Sequence, residues 1–128
     1  MAGNLEGKTI VVVDDDPDIV TAITASLADS GATIRTAGDG AAASKITDES
    51  DPDLLILDIM LPGKSGFLVL EKLRRTKPRG SKPRVIIITG NEGRRHRQYA
   101  DALGVDAYLT KPFRMERLVE LTEKLLAG

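Results

Sequence analysis

The sequence predicts an α/β domain: a five-stranded parallel sheet with helices on both faces. Three observations lead there. Strand-length apolar runs alternate with helical patterns five times along 128 residues. Three of those runs lack polar alternation, as do strands buried on both faces of a parallel sheet. Two sequential parallel strands need a crossover, and a helix-length segment follows every run.

The elements follow in order. Thr9-Ile-Val-Val-Val13 is the first strand. Pro17 to Ser30 is the first helix, with Ile19, Ile23 and Leu27 at i+4 spacing and Val20 beside them. Asp16 serves as its N-cap, Pro17 fits the first helical position, and Gly31 fits a left-handed cap just past the end. Ala32-Thr-Ile-Arg-Thr36 alternates, which suits an edge strand, and Ala-rich Gly38 to Thr47 is the second helix. Asp53-Leu-Leu-Ile-Leu57 is the third strand, and Ser65 to Thr76 the third helix, with Phe67, Leu70 and Leu73 on one side. Thr76 to Pro83 is a polar surface loop. Arg84-Val-Ile-Ile-Ile-Thr89 is the fourth strand and Asn91 to Leu103 the fourth helix. Ala107-Tyr-Leu-Thr110 is the fifth strand and Arg114 to Leu126 the fifth helix, carrying Leu118, Leu121 and Leu125.

Length and composition bound the rest. One domain is expected over residues 1–128, with an ordered core of about 8–127. Hydrophobic residues at 41% and charged residues at 29% are a globular balance. With no cysteine, disulfide scaffolds and thiolate metal sites are excluded. No apolar run approaches a membrane span and the N-terminus lacks a signal-peptide core, so a cytoplasmic location is expected. Net charge is −1, yet residues 1–62 carry −9 and residues 63–128 carry +8. A basic second half can mark a nucleic-acid face, but aromatics at 3% leave few stacking platforms, and interleaved halves would neutralise each other.

The informative residues end the strands. The first strand stops at Asp14-Asp15-Asp16, the third at Asp58, the fourth at Thr89, and the fifth runs into Lys111-Pro112. Carboxyl ends of parallel strands line the ligand crevice of open α/β sheets. Carboxylates gathered there repel one another unless a cation intervenes. Oxygen-only donors with room for water suit Mg²⁺, or Mn²⁺, better than Zn²⁺. A metal beside a carboxylate, with an ammonium and a hydroxyl opposite, is equipment for handling a phosphoryl group. Asp58 would be the nucleophile, with Lys111 and Thr89 at the phosphate oxygens. Taken singly, each residue has a plainer reading: Asp14 and Asp15 as turn residues, Asp16 as a helix cap, Asp58 as a cap, Thr89 as a strand residue and Lys111 as a solvated lysine.

At this point the chain resembles the receiver domain of bacterial response regulators over nearly its whole length. The matching segments are Ile10-Val-Val-Val-Asp-Asp-Asp-Pro17, Pro52-Asp-Leu-Leu-Ile-Leu-Asp-Ile-Met-Leu-Pro-Gly63, Val85-Ile-Ile-Ile-Thr-Gly90 and Tyr108-Leu-Thr-Lys-Pro-Phe113. The resemblance implies a flavodoxin-like doubly wound (βα)5 fold with strand order 2-1-3-4-5. It implies that Asp58 takes a phosphoryl group from a phosphohistidine on a sensor histidine kinase or histidine phosphotransfer protein. Asp14, Asp15, Asp58 and the backbone carbonyl of Met60 would form the metal site. Thr89 and Tyr108 would be the switch pair, and the Lys111–Pro112 peptide would be cis. Ser65 stands where many relatives carry Asp and is expected to cap the third helix. Met60 and Asn91 occupy positions that tune hydrolysis in the family.

Such a domain is a signalling module, catalysing only its own phosphorylation and slow dephosphorylation. Its output surface would be the fourth helix, fifth strand and fifth helix, meeting an unknown output protein or forming a homodimer. Arg94, Arg95, Arg97, Arg114 and Arg117 collect there, with His96 expected as a surface histidine. Direct nucleic-acid or membrane contact is not expected. The alternative is an aspartate-nucleophile phosphohydrolase of small phosphate esters. That class wants a second Asp two residues after the nucleophile, where this chain has Met60.

Overall fold

The computed structural model describes residues 4–61, 65–77, 82–90 and 94–127, without the side chains of Arg94 and Arg95. The Pro62-Gly63 turn, Asn91 and most of the polar loop before Pro83 therefore lie outside the described residues. Strands and helices alternate throughout. They are β1 (Thr9–Val13), α1 (Pro17–Ser26), β2 (Thr33–Ala37), α2 (Gly40–Ser50), β3 (Leu54–Asp58) and α3 (Gly66–Thr76). Then come β4 (Arg84–Thr89), α4 (Arg94–Ala102), β5 (Ala107–Thr110) and α5 (Met115–Leu126). All neighbouring strands pair in parallel, in the order β2-β1-β3-β4-β5. The predicted architecture and strand order are those observed.

Alternation along the central strands sorts side chains onto two faces. Val11, Val13, Leu55, Leu57, Val85 and Ile87 pack with Ala43, Val69, Leu70, Leu73 and Ala100 beneath α2, α3 and α4. Ile10, Val12, Leu54, Ile56, Ile86 and Ile88 pack with Ile23, Leu27, Leu118 and Leu126 beneath α1 and α5. The apolar runs without polar alternation are thus explained: both faces are covered. Each fully buried Leu or Ile contributes about 1.5–3 kcal/mol, so this double core is the main source of stability. No helix among the described residues is long and apolar enough to cross a membrane.

Element ends follow local chemistry, and several differ from expectation. Asp16 caps α1, its side chain accepting from the Asp18 amide at 2.9 Å. The first helix stops at Ser26 rather than Ser30. A 3₁₀ turn over Ala28–Ser30 follows, closed by the Ser30 hydroxyl donating to the Leu27 carbonyl at 2.6 Å and by Gly31 at φ 89°. The second helix starts at Gly40 because Asp39 accepts from the Ala42 amide at 2.8 Å. It runs on to Ser50, ending at Asp51 with φ 45°. Ser65 caps α3, accepting from the Phe67 amide at 3.1 Å. The second and third strands each sit one residue later than expected, so Asp58 is itself the last residue of β3.

At the opposite end of the sheet, carboxylates take up strand amides. Asp53 accepts from the Thr9 amide at 2.8 Å, and Asp106 from the Val85 amide at 2.8 Å. On the α3–α4 side, Arg74 donates to the Leu103 and Gly104 carbonyls at 2.7 and 3.1 Å. It thereby satisfies carbonyls that the end of α4 leaves without helical partners.

Candidate functional site

Register builds the site. Val13 of β1 pairs with Leu57 of β3, so the next residues, Asp14 and Asp58, stand side by side on neighbouring strands. Asp58 pairs with Ile88, placing Thr89 one step beyond it on β4. Thr89 pairs with Thr110, and Lys111 follows at once. Asp14 and Asp58 continue the alternation of Val12 and Ile56, on the face covered by α1 and α5.

Asp14 is 1% exposed and Asp58 2% exposed, whereas Asp15 faces solvent. Ligand oxygens of all three lie within 4.8 Å of one another. Lys111 Nζ is 2.9 Å from Asp14 Oδ2 and 3.0 Å from Asp58 Oδ2. Its contact with Asp58 is a directed hydrogen bond, while its contact with Asp14 is an ion pair outside that geometry. The remaining carboxylate oxygens are held by backbone. Asp14 Oδ1 accepts from the Asp16 amide at 2.9 Å, and Asp58 Oδ1 from the Met60 amide at 2.8 Å.

The electrostatics follow from burial. Desolvation raises the Asp14 pKa above its ordinary value, and the Asp58 charge adds to that, against the lowering effect of the Asp16 amide and Lys111. Burial alone would lower the Lys111 pKa, but the two carboxylates outweigh it and the net shift is upward. One ammonium thus faces two buried carboxylates, with the exposed carboxylate of Asp15 beside them. Asp14 Oδ2 is buried without a directed hydrogen bond. Three carboxylates offering only oxygen donors, gathered within 4.8 Å of one another and open to solvent at Asp15, fit a hard divalent cation such as Mg²⁺. Asp14 and Asp15 open onto a cleft of about 410 Å³ that also reaches Thr36 and Gly38.

Thr89 is fully buried at the end of β4. By alternation it shares a face with Ile87, whose partner across the ladder is Tyr108. Thr89 and Tyr108 are therefore diagonal neighbours on the α2–α4 face, opposite to the face of Asp14 and Asp58. Tyr108 is half-buried against that core, with the Arg97 guanidinium 4.9 Å from its ring centre. Burial pushes its phenol pKa up. The Lys111–Pro112 peptide is cis.

Some residues depart from expectation or escaped it. His96, expected at the surface, is half-buried: among the described residues its Nδ1 has no partner, and its ring stands edge-on to Phe67 at 5.6 Å. The reason is the rotation of α4, which turns His96 and Tyr99 toward α3, where Tyr99 meets Phe67 at 4.9 Å and hydrogen-bonds Glu71. Of the five arginines, Arg97, Arg114 and Arg117 are exposed, and the side chains of Arg94 and Arg95 lie outside the described residues. Sequence reasoning missed Gly66. A Cβ there would lie 2.6 Å from both the Asp58 carbonyl and Ile59 Cα, so α3 closes directly on the strand end that presents Asp58. A glycine immediately after a helix cap was the available signal.

A doubly wound α/β sheet whose strand ends gather three carboxylates and a lysine carries a charged cluster where open α/β sheets bind their ligands. Comparison with known proteins identifies the class. The family model for the response regulator receiver domain matches residues 10–123, and the chain belongs to that family. The chain is 37% identical over 116 residues to the transcriptional regulatory protein TcrA of Mycobacterium tuberculosis, covering 91% of this chain and 45% of that one. It is 38% identical over 106 residues to the alkaline phosphatase synthesis transcriptional regulatory protein PhoP of Bacillus subtilis, covering 83% and 43%. A CheY-like receiver domain from Methanospirillum hungatei superposes with TM-score 0.83 at 29% identity, covering 92% of this chain and 93% of that one. The chain spans about half the length of the curated relatives it matches.

Proposed function

We propose that Asp58 is the phosphoacceptor of this receiver domain. A carboxylate oxygen of Asp58 forms the bond to phosphorus as the phosphorus–nitrogen bond of a kinase or phosphotransfer-protein phosphohistidine, protonated on its other ring nitrogen, breaks, and the neutral imidazole leaves with the bonding electron pair. The product is an acyl phosphate on Asp58. Asp14, Asp15, Asp58 and the Met60 carbonyl would hold Mg²⁺, or Mn²⁺, which when bound neutralises charge on the incoming phosphoryl oxygens. The single observation that carries this reading is the convergence of Asp14, Asp15, Asp58 and Lys111 at one strand edge.

The chain's own groups divide the work. The Met60 amide fixes Asp58 by one oxygen, leaving the other to face Lys111. Lys111 exchanges its carboxylate partner for a phosphoryl oxygen. Thr89, buried one step from Asp58, turns its hydroxyl to the phosphoryl group, and Tyr108 follows into the space beside it. The outcome is a changed surface at α4, β5 and α5 that an output protein or a second copy reads. Exposed Arg97, Arg114 and Arg117 give that surface a positive field, suited to an acidic partner. The phosphohydrolase reading gains no support, because the side chain two residues after Asp58 is the exposed thioether of Met60.

The test is Mg²⁺-dependent labelling with acetyl phosphate, mapped by mass spectrometry. Asp58 alone should carry the added phosphoryl mass, and Asp58→Asn should carry none. A label on any other residue overturns the assignment.

A further inference from the structure

One surface feature takes no part in the phosphoryl chemistry: a groove between α1 and α5. Two cavities of about 410 and 360 Å³ lie next to each other along it, with Ser26 and Val119 in the walls of both. Its floor is apolar, from Met115, Val119, Leu27 and Leu5. Every charged residue lining it is acidic: Glu116, Glu120 and Glu123 from α5, and Asp29 from the turn after α1.

The acidic rim is ordered by the helix. Positions 116, 120 and 123 fall at i, i+4 and i+7, a single stripe along α5. Arg117 and Lys124 of the same helix line neither cavity. Like charges at this spacing repel one another along the helix face. Among the described residues, Glu116, Glu120 and Asp29 form no ion pair, and Glu123 only accepts a hydrogen bond from the Asn4 amide group at 3.2 Å. The rim is therefore uncompensated negative charge above an apolar floor.

That combination specifies its occupant. An apolar floor between two helices fits the side chains of a third helix laid along it, and the rim selects cationic flanks. A second copy related by a two-fold axis is disfavoured, because it would set one glutamate stripe against another. We propose that the α1–α5 groove docks a basic amphipathic helix of a partner protein. Its apolar side chains rest on Met115, Val119 and Leu27, and its Lys or Arg side chains meet Glu116, Glu120 and Asp29. The proposal goes beyond the phosphoacceptor reading, since no lining residue belongs to the Asp14–Asp58 cluster, and its test uses unphosphorylated protein.

The probe is a synthetic helix-forming peptide of about 18 residues, roughly 27 Å long, with leucines at i, i+3, i+4 and i+7 and lysines elsewhere. A control peptide carries glutamate at every lysine. Both are titrated into the full chain in saturating Mg²⁺ while backbone amide shifts are followed. The lysine peptide should shift amides around Ser26, Val119 and Glu120 and bind at least about tenfold tighter than the glutamate peptide. Its affinity should fall about tenfold between roughly 50 and 300 mM salt. The double variant Glu116→Lys, Glu120→Lys, at two exposed positions, should lose at least about tenfold in affinity while its thermal midpoint holds. Equal binding of the two peptides overturns the proposal. So do shifts centred on Asp14 and Asp58, indifference to the double variant, or sedimentation showing a second copy of the chain seated in the groove.

Discussion

Lys111 Nζ lies 3.0 Å from Asp58 Oδ2 and 2.9 Å from Asp14 Oδ2, so one ammonium spans the carboxylates of two neighbouring strands. The contact is a structural cation in the place where charge balance is otherwise poorest. Lys111→Met removes it and leaves two desolvated carboxylates facing each other. Breaking such a pair is costly, and with Lys111 24% exposed the loss should be about 1–3 kcal/mol in metal-free buffer. The urea midpoint measures it, and millimolar Mg²⁺ should recover part of the loss. A variant as stable as the parent in metal-free buffer would show that the pair contributes nothing.

Asp14→Asn should act in the other direction. It removes a desolvated charge from beside Asp58, so the metal-free protein should gain about 1 kcal/mol, although part of the Lys111 pairing is lost with it. The same change removes a proposed ligand, so the rise in thermal midpoint on adding Mg²⁺ should shrink sharply. Calorimetry with and without Mg²⁺ separates the two effects. A variant that responds to Mg²⁺ as the parent does would exclude Asp14 from the site.

The pH dependence carries a definite sign. The folded-state pKa of Asp14 is raised above 3.8, so the native state binds this proton more tightly than the unfolded chain. Stability from this group is present below 3.8 and is lost as pH rises through the higher folded value. Lys111 is raised above 10.5, so its contribution is intact below 10.5 and is lost only as pH climbs through the folded value. Metal-free denaturation followed from about pH 9 to about pH 12, across the lysine range, should show an alkaline loss that Lys111→Met lacks. An identical alkaline limb in both proteins would refute the Lys111 contribution.

Gly66→Ala probes the junction that presents Asp58. The new methyl would meet backbone atoms at 2.6 Å on two sides, and backbone cannot swing aside as a flexible side chain does. The junction must shift, at a cost of about 1–3 kcal/mol. Labelling by acetyl phosphate should slow together with the loss of stability, because the strand end itself is displaced. Unchanged labelling and stability would mean that the approach of α3 to β3 is adaptable.

Arg74→Ala tests how α4 is held. Arg74 is the described side chain that satisfies the Leu103 and Gly104 carbonyls, and its loss should cost about 1–3 kcal/mol. Amide exchange should quicken selectively toward the end of α4 rather than across the sheet. Uniform quickening would point to global destabilisation instead.

The sequence by itself determined the alternation of strands and helices, both faces of the core, and which residues sit at strand ends. These are properties of local pattern: a period near two or near 3.6, a capping aspartate, a glycine past a helix. The ends at Val13, Thr89 and Thr110 were legible to the residue, and so were the caps at Asp16 and Ser65. Tertiary structure alone decided what meets what. Inter-strand register set Asp14 beside Asp58 and brought Lys111, 53 residues further on, to within hydrogen-bonding distance. Helix rotation turned His96 inward against Phe67, and the docking of α1 on α5 created the acidic-rimmed groove. The physical reason is range. A side chain's face follows from its immediate neighbours in the chain, but its partner depends on how separate elements slide and rotate to fill one shared core.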